Sequence, residues 1–409
     1  MSGPSSAPPG SGARRVPAPA WWAVLAVALA ARLAFVAVTP PRILWRDGQQ
    51  YEAVALSLVE TGSYGPQTLR PPGYPTLIAA VYRVTGRNLV ALRTVEAALG
   101  TLSVGLVGAV GVSLFGPLAG WIAALLAALD PVLAFMPSTQ YAENTLVLVL
   151  VLAFAAAFAA WRRGGLGRWA LAGVLFGAAL LVRPNTLVML PGIGLGFAAA
   201  LHRRRRAWLA PALVCTLAAA VTVTPWIVRN HRVHHHWYFI ATGGGRQFWF
   251  GNNEHTRAAT DEASVPDSAM FASAVRLPDD IARERYFYDL GMAFVREHPE
   301  RAARLYLTKL GNLFALYPKP YSHQVRLGPW SRLAQGLASA VVFAGALLML
   351  RRFRRDPALW PMVAGIVTFA LVNAVFFTVM RYRLAFEPCL LWMAGAGWAG
   401  LFGARGVSR

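Results

Sequence analysis

The sequence predicts an all-α polytopic membrane protein, a bundle of about ten transmembrane helices with two large loops on one side. Three observations predict it. First, 56% of the 409 residues are hydrophobic and only 14% are charged, against about 25% charged in ordinary soluble domains. Second, the apolar residues gather in runs of helix length. Third, arginines cluster between alternate runs. The mean hydropathy of +0.45 excludes a soluble globular chain and a disordered one.

Residues 1–19 are rich in Ser, Pro, Gly and Ala, with Arg14 and Arg15, and read as a disordered cytoplasmic tail. The first apolar run, 20–38, is too long for a signal-peptide core and reads as an uncleaved anchor. Further runs lie at 89–113, 117–135, 144–160, 169–183, 186–201, 207–227, 331–350, 358–379 and 385–403. Each approaches the roughly 20 residues that cross about 30 Å of hydrocarbon. Spans one to seven thus occupy 20–227, spans eight to ten occupy 331–403, and a short tail follows at 404–409.

With ten spans, Arg14/Arg15, Arg162/Arg163/Arg168, Arg203–Arg206, Arg351–Arg355 and Arg405/Arg409 all share one side. The positive-inside rule makes that side the cytoplasm. Residues 302–317 are partly apolar. If they crossed, Arg351–Arg355 would fall outside, so they are expected to form an interfacial amphipathic helix. Two large loops, 39–88 and 228–330, then face outward, and the second gathers acids between Glu254 and Glu300.

The net charge of +21 does not point to nucleic acid, because the basic residues lie among Ala, Leu and Val runs. Only Lys309 and Lys319 among the 39 basic residues are lysines. An arginine excess suits membrane edges and phosphate sites. Cys215 and Cys389 both lie in apolar runs, which speaks against a disulfide framework or a thiolate metal site.

Asp47 stands where the first span ends and an apolar-periodic segment, Glu52–Glu60, begins. A carboxylate there gains from the helix N-terminus, whether as a cap or as a functional group. Leu69-Arg70-Pro71-Pro72-Gly73-Tyr74-Pro75 is a rigid turn at the membrane surface. Glu96, Asp130, Glu143 and Glu387 are the acids at or near membrane depth, where ionisable groups are costly and mark functional candidates. Glu143 heads a span near the level of Asp47, so the two carboxylates are candidates to share acid–base and acceptor-positioning work. Asp130-Pro131 marks a helix end. Outer-side arginines recur at Arg46, Arg70, Arg183, Arg229, Arg381 and Arg383, while Arg32 lies within the first span and is expected to face the bundle. The guanidinium fork suits phosphate oxygens, and the alternative for each is an ion pair or a lipid head group. Arg381 and Arg383 flank Tyr382, so one is expected to face the site and the other elsewhere. His231 and His234–His236 have no second cluster of acids or cysteines to make a metal site. Phe248-Trp249-Phe250 beside Asn252-Asn253 suits sugar stacking and hydroxyl binding, or an interfacial belt.

The order of these motifs resembles the bacterial GT-C glycosyltransferases of the family-39 type, relatives of protein O-mannosyltransferases and of the transferase that places aminoarabinose on lipid A. Asp47…Tyr51…Ala55…Leu58 with Arg70-Pro-Pro-Gly-Tyr-Pro75 carries it, followed by Glu143 and Arg183-Pro184. Next come Pro225-Trp226…Arg229-Asn230, Gly251-Asn252-Asn253, His298-Pro299…Lys309-Leu310 and Arg381-Tyr382-Arg383…Pro388. The resemblance implies a GT-C-like bundle in a bacterial cytoplasmic membrane. It implies transfer of a sugar from a polyprenyl-phosphate donor, on the outer face, to a cell-envelope glycan, lipid or protein. Asp47 matches the family's catalytic aspartate and would act as general base in an inverting displacement, with Glu143 as its fellow acid. Arg381, Arg383, Arg70, Arg183 and Arg229 are the candidates for the donor phosphate, and Tyr51, Tyr74, Asn253 and Tyr382 for positioning substrate. One phosphate, rather than a nucleotide diphosphate, suits stabilisation by arginine, so no metal or other cofactor is indicated. The residue after Asp47, an acid in the protein mannosyltransferases, is Gly48 here. The Arg70-Pro-Pro turn also lacks the acid that precedes the matching prolines in the aminoarabinose transferases. Both departures leave the acceptor open. The alternative class is a transporter or flippase for a lipid-linked or anionic substrate, and a third is a scaffold without activity. Against transport stand the absence of a detectable internal repeat and the length of the second outer loop.

Overall fold

The computed structural model describes residues 16–256, 273, 274, 276–318 and 328–402. Among them every regular element is helical. Arg14, Arg15, Arg405 and Arg409, and the tails that hold them, lie outside the described residues apart from 16–19.

Each of the ten expected runs contains a helix. Helix α1 is Ala18–Val38, and the first loop folds into α2, Arg46–Thr61, and α3, Gly73–Thr85. Next come α4, Leu89–Phe115, and α5, Pro117–Leu129, the latter followed by a short α6, Pro131–Phe135. Helices α7, Glu143–Arg163, α8, Leu166–Val182, α9, Leu190–Arg203, and α10, Leu209–His234, complete the first group. The second loop contributes α11, Gly244–Gly251, α12, Asp280–Glu297, and α13, Pro299–Leu313. The last three are α14, Pro329–Phe353, α15, Leu359–Asn373, and α16, Glu387–Leu401. Short 3-10 turns stand before α9, at Pro184–Met189, and before α16, at Met380–Ala385.

Six helical segments are long and apolar enough to cross a membrane, counting α9 with the 3-10 turn before it as Pro184–Arg203, and seven if α5 and the segment Pro131–Ser138 form one broken span. Helices α8 and α15 are apolar but have only 17 and 15 residues, and α16 has 15. At 1.5 Å per residue even α8 reaches only about 26 Å. Each of the ten expected runs therefore contains a helix, while length and apolarity support six or seven spans. Residues 374–379, expected within the ninth run, are not helical. Helix α10 continues past residue 227 to His234 with Pro225 inside it. Residues 302–317 do not form a candidate span, and α13 carries the expected amphipathic character. Its inner face buries Ala302, Leu305, Lys309, Asn312 and Leu313, and Leu307 is 65% exposed.

Local chemistry explains the breaks. Asp130 caps α6 by accepting from the Val132 and Leu133 amides at 2.8 and 3.0 Å. Pro131 cannot donate into the turn before it. The chain bends there by 57°. Asn88 caps α4 through the Ala91 amide. Gly62, at φ 70°, closes α2 in the left-handed region.

Helices surrounded by lipid gain little from the hydrophobic effect and associate through close backbone contact. Helices α14 and α16 meet at Gly345 and Gly397, where a Cβ on Gly397 would stand 1.9 Å from the Gly345 carbonyl oxygen. Helix α7 is buried along most of its length. Its Phe154 and Phe158 pack edge-on against Phe176, Phe197 and Trp392 from three other helices.

The two ends of the bundle differ in charge. At one end Arg204 lies 4.1 Å over the Trp161 ring, Arg206 donates to the Trp161 carbonyl at 3.2 Å, and Arg203 approaches Trp360. The other end holds α2, α3, the head of α7, the 184–189 turn and the 380–385 turn. The carboxylates Asp47 and Glu143 stand there.

Candidate active site

Asp47 is the second residue of α2, whose N-cap position is Trp45. Its side chain is held by arginines. Arg70 Nη2 donates to Oδ1 at 2.6 Å and Arg381 Nη2 donates to Oδ2 at 3.1 Å. The rigid proline turn delivers Arg70, whose guanidinium also bonds Gln50 Oε1 and sits 4.6 Å over the Tyr51 ring. Gln50 is three residues after Asp47, on the same face of α2.

Arg381 reaches both carboxylates, because its Nε also pairs with Glu143 Oε1 at 3.1 Å. Its guanidinium stacks 3.9 Å over Tyr141, which fixes the plane of the fork. Arg183, between α8 and the following 3-10 turn, bonds the same Glu143 oxygen and faces the Tyr382 ring at 5.5 Å. The helix N-terminus adds a favourable field for Glu143 in the first turn of α7. The site is thus three guanidinium groups alternating with two carboxylates.

Burial would raise the Asp47 carboxyl, but Arg70, Arg381 and Arg183 outweigh it and hold the group below the usual carboxylate range. Asp47 is therefore ionised and paired.

A cavity of about 1180 Å³ opens from this cluster. Asp47, Gln50, Tyr51, Arg70, Tyr141, Arg183, Arg381 and Tyr382 form its polar part. Its apolar part follows Ala31 and Phe35 of α1, the α5–α6 bend, Ala334 of α14, and Val372 and Phe376 near the end of α15. Arg246, Gln247, Phe250 and Tyr288 close it from the second loop. Glu284 fixes that closure by accepting from the Gly243 and Gly245 amides at 2.7 and 2.8 Å.

Several expected site residues stand elsewhere. Arg383 is 2% exposed and points away from the cavity. It bonds Glu387 at 2.7 Å, the Ala315 carbonyl at 3.0 Å and Ser339 at 3.1 Å. Of the two arginines flanking Tyr382, Arg381 is the one at the cavity. Arg229 bonds the Gly65 carbonyl and lies over Trp226, which ties α10 to the first loop. Asn253 is buried; its amide donates to the Trp249 carbonyl and its oxygen accepts from the His255 amide, both at 2.8 Å. Tyr74 is buried edge-on against Tyr51 at 5.0 Å and supports the ring under Arg70. Glu143, 2% exposed, stands behind Arg183 and Arg381 rather than on the wall. Sequence reasoning missed Gln50 and Tyr141, although their spacing from Asp47 and Glu143 was available. Arg32 is buried, as expected, and Asp130 ends a helix. Among the described residues no group of three or more His, Cys, Asp or Glu is placed to share a metal ion. His231 stacks on Trp237 at 4.0 Å.

Residues 69–228 match the model of the family described as dolichyl-phosphate-mannose-protein mannosyltransferase. No curated protein matches the chain. Among solved structures, the oligosaccharyltransferase of Archaeoglobus fulgidus in its apo form aligns with TM-score 0.59 at 16% identity, over 94% of this chain and 50% of that one. The archaeal AglB oligosaccharyltransferase of the same organism, in complex with an inhibitory peptide and a dolichol-phosphate, aligns with TM-score 0.53 at 14% identity, over 95% and 52%. ArnT from Cupriavidus metallidurans in the apo state gives TM-score 0.44 at 15% identity, over 93% and 78%. The chain spans about half the length of the oligosaccharyltransferases it matches. At these identities the likeness is one of fold, and the fold is GT-C-like. The resemblance read from the sequence is borne out.

Proposed function

We propose that this chain is a membrane glycosyltransferase that moves a sugar from a polyprenyl-phosphate donor to an acceptor hydroxyl on the outer face of a bacterial cytoplasmic membrane. The observation that carries the reading is the placing of Asp47 between Arg70 and Arg381 at the polar end of a cavity whose wall along α1 and the α5–α6 bend is apolar. A lipid-linked phosphate needs both surfaces. The GT-C-like fold, the family matched over residues 69–228, and a relative of similar fold bound to a dolichol-phosphate support it. The clustering of arginines at the opposite end supports the outer location.

In this reading Arg70, Arg183 and Arg381 hold the donor phosphate through charge-assisted bonds and take up the charge that grows on it. The acceptor oxygen attacks the anomeric carbon as its proton passes to Asp47. The bond from that carbon to the phosphate oxygen breaks, and its electron pair leaves with the prenyl phosphate. One displacement inverts the anomeric centre. Donor binding also readies the base, because a phosphate that draws Arg70 and Arg381 loosens their hold on the Asp47 carboxylate. Glu143 anchors Arg183 and Arg381, and Tyr51 and Tyr382 flank the reacting groups.

The experiment is transfer of radiolabelled mannose, glucose, galactose or arabinose from its polyprenyl phosphate in right-side-out and inverted vesicles. The reading expects labelled acceptor in the right-side-out vesicles and none with Asp47→Asn. Movement of intact donor across the bilayer, with no transfer for any of these sugars, would replace it with the transport reading.

A further inference from the structure

Lys309 is 1% exposed, on the inner face of the amphipathic helix α13. Its ammonium donates to the Gly251 carbonyl at 3.0 Å, to Asn252 Oδ1 at 3.1 Å and to the Val375 carbonyl at 3.2 Å. All three acceptors are neutral oxygens, and two are carbonyls at or just beyond helix ends, where lone pairs lack intrahelical partners. One cation therefore gathers the end of α11, the end of α15 and α13. A compact three-donor ammonium suits three divergent carbonyls better than a planar fork does.

The gathered segments lead directly into the candidate active site. Val375 lies in the non-helical stretch 374–379, which carries Phe376 and Phe377 and leads into the 380–385 turn that holds Arg381. That stretch is pinned again where the Phe377 amide donates to the Gln247 carbonyl at 2.9 Å. A Cβ on Gly251 would lie 2.7 Å from the Phe376 carbonyl, so backbone lies against backbone there. Helix α13 and the residues just after it also touch both flanks of that stretch. Tyr306 donates to the Leu371 carbonyl at 2.9 Å, and the Ala315 carbonyl accepts from Arg383 at 3.0 Å. The contacts fall before, within and after the segment that places Arg381, as a splint does.

We infer that Lys309 is a positioning residue, which through α13 and Val375 sets where the Arg381 guanidinium stands between Asp47 and Glu143. The inference rests on the reading that Arg381 holds the donor phosphate. Lys309 touches no substrate and acts through the backbone.

The test is a double-mutant cycle read as the Kd for undecaprenyl phosphate, measured on full-length protein in nanodiscs for the parent, Lys309→Met, Arg381→Ala and the double variant. Lys309→Met is expected to weaken binding about tenfold, and by less than twofold when Arg381 is already Ala, because contacts acting through one group do not add. Tyr306→Phe, which removes one hydroxyl, is expected to weaken binding about two- to threefold with the same dependence on Arg381, and it decides the question if Lys309→Met does not fold. An unchanged Kd in both variants, or effects that multiply in full with Arg381→Ala, overturns the inference while the functional reading stands. An unchanged Kd in Arg381→Ala overturns the functional reading and the inference with it.

Discussion

Arg381 and Arg383 differ by two positions and by nearly everything else, so replacing each by alanine separates phosphate binding from scaffolding. Arg381→Ala removes a guanidinium that spans Asp47 and Glu143 at 3.1 Å each and faces the cavity. A charge-assisted bond contributes about 1.5–3 kcal/mol, or roughly 10- to 150-fold at 1.4 kcal/mol per decade. The donor KM should rise by that factor, and kcat should fall as well if Arg381 also stabilises the departing phosphate. Lysine should restore only part, since a point charge cannot span both carboxylates. Arg383→Ala leaves Glu387, 1% exposed, without its cation. Breaking a buried pair on one side costs about 3–5 kcal/mol, so thermal stability should fall by many degrees while the donor KM of the surviving fold stays near the parent's. Initial rates at saturating acceptor, with donor varied in mixed micelles, measure the first, and a thermal melt measures the second. Parental KM and kcat in Arg381→Ala, or a donor KM raised equally by both changes, would refute the assignment of the two arginines.

The other predictions are simpler. Asp47→Asn should keep the fold and lower kcat by about 10²–10⁴-fold, the range for loss of a general base; turnover above half the parental rate would reduce Asp47 to a helix-end acid. Arg70→Gln removes the nearest cation holding the Asp47 carboxyl down. The depressed carboxyl is ionised above its ordinary range and loses its charge only as pH falls through the lowered value. Without Arg70 that loss comes at higher pH, and the acid limb of kcat/KM for the acceptor should move up; a limb that stays in place would show that Asp47 is not the titrating base. Single cysteines, introduced into a chain lacking Cys215 and Cys389, should react with an impermeant maleimide from outside within 228–256. They should be protected at Phe353. Labelling of position 353 from outside would show that segment 302–317 crosses the membrane and that the count of ten spans is wrong.

Much of the fold was legible because lipid imposes length and apolarity on each crossing element, and each of the ten runs contains a helix. The short helices α8 and α15 were the hard cases, since neighbours rather than hydropathy set their ends. The site was legible in part. Arg183 and Arg381 stood out as arginines at the outer ends of apolar runs, Arg70 as one in the proline turn of the first outer loop, and Asp47 as an acid at a helix start. The sequence could not rank Arg381 above Arg383, because that depends on how the 380–385 turn is aimed. One signal was available: Glu387 lies four residues after Arg383, the spacing of a helical ion pair. Arg229 was misplaced because its partner, the Gly65 carbonyl, is distant in sequence and is a backbone atom. Lys309 stood out in the sequence as part of the His298-Pro299…Lys309-Leu310 motif and as one of two lysines in an arginine-dominated chain, but its three carbonyl and amide partners are distant in sequence.

The bend at Asp130–Pro131 has a kinetic corollary. The cavity wall includes Ala128, Leu129, Pro131 and Val132 at that bend, and Leu129 is 56% exposed. The recess thus runs out to the flank of the bundle. A substrate anchored by its tail would diffuse in by sliding sideways within its leaflet, never leaving oil. The concentration that governs its capture is then two-dimensional, a mole fraction among lipids. Adding inert phospholipid at constant donor per litre should slow the protein by surface dilution, whereas adding buffer at constant lipid composition should leave the rate per molecule unchanged.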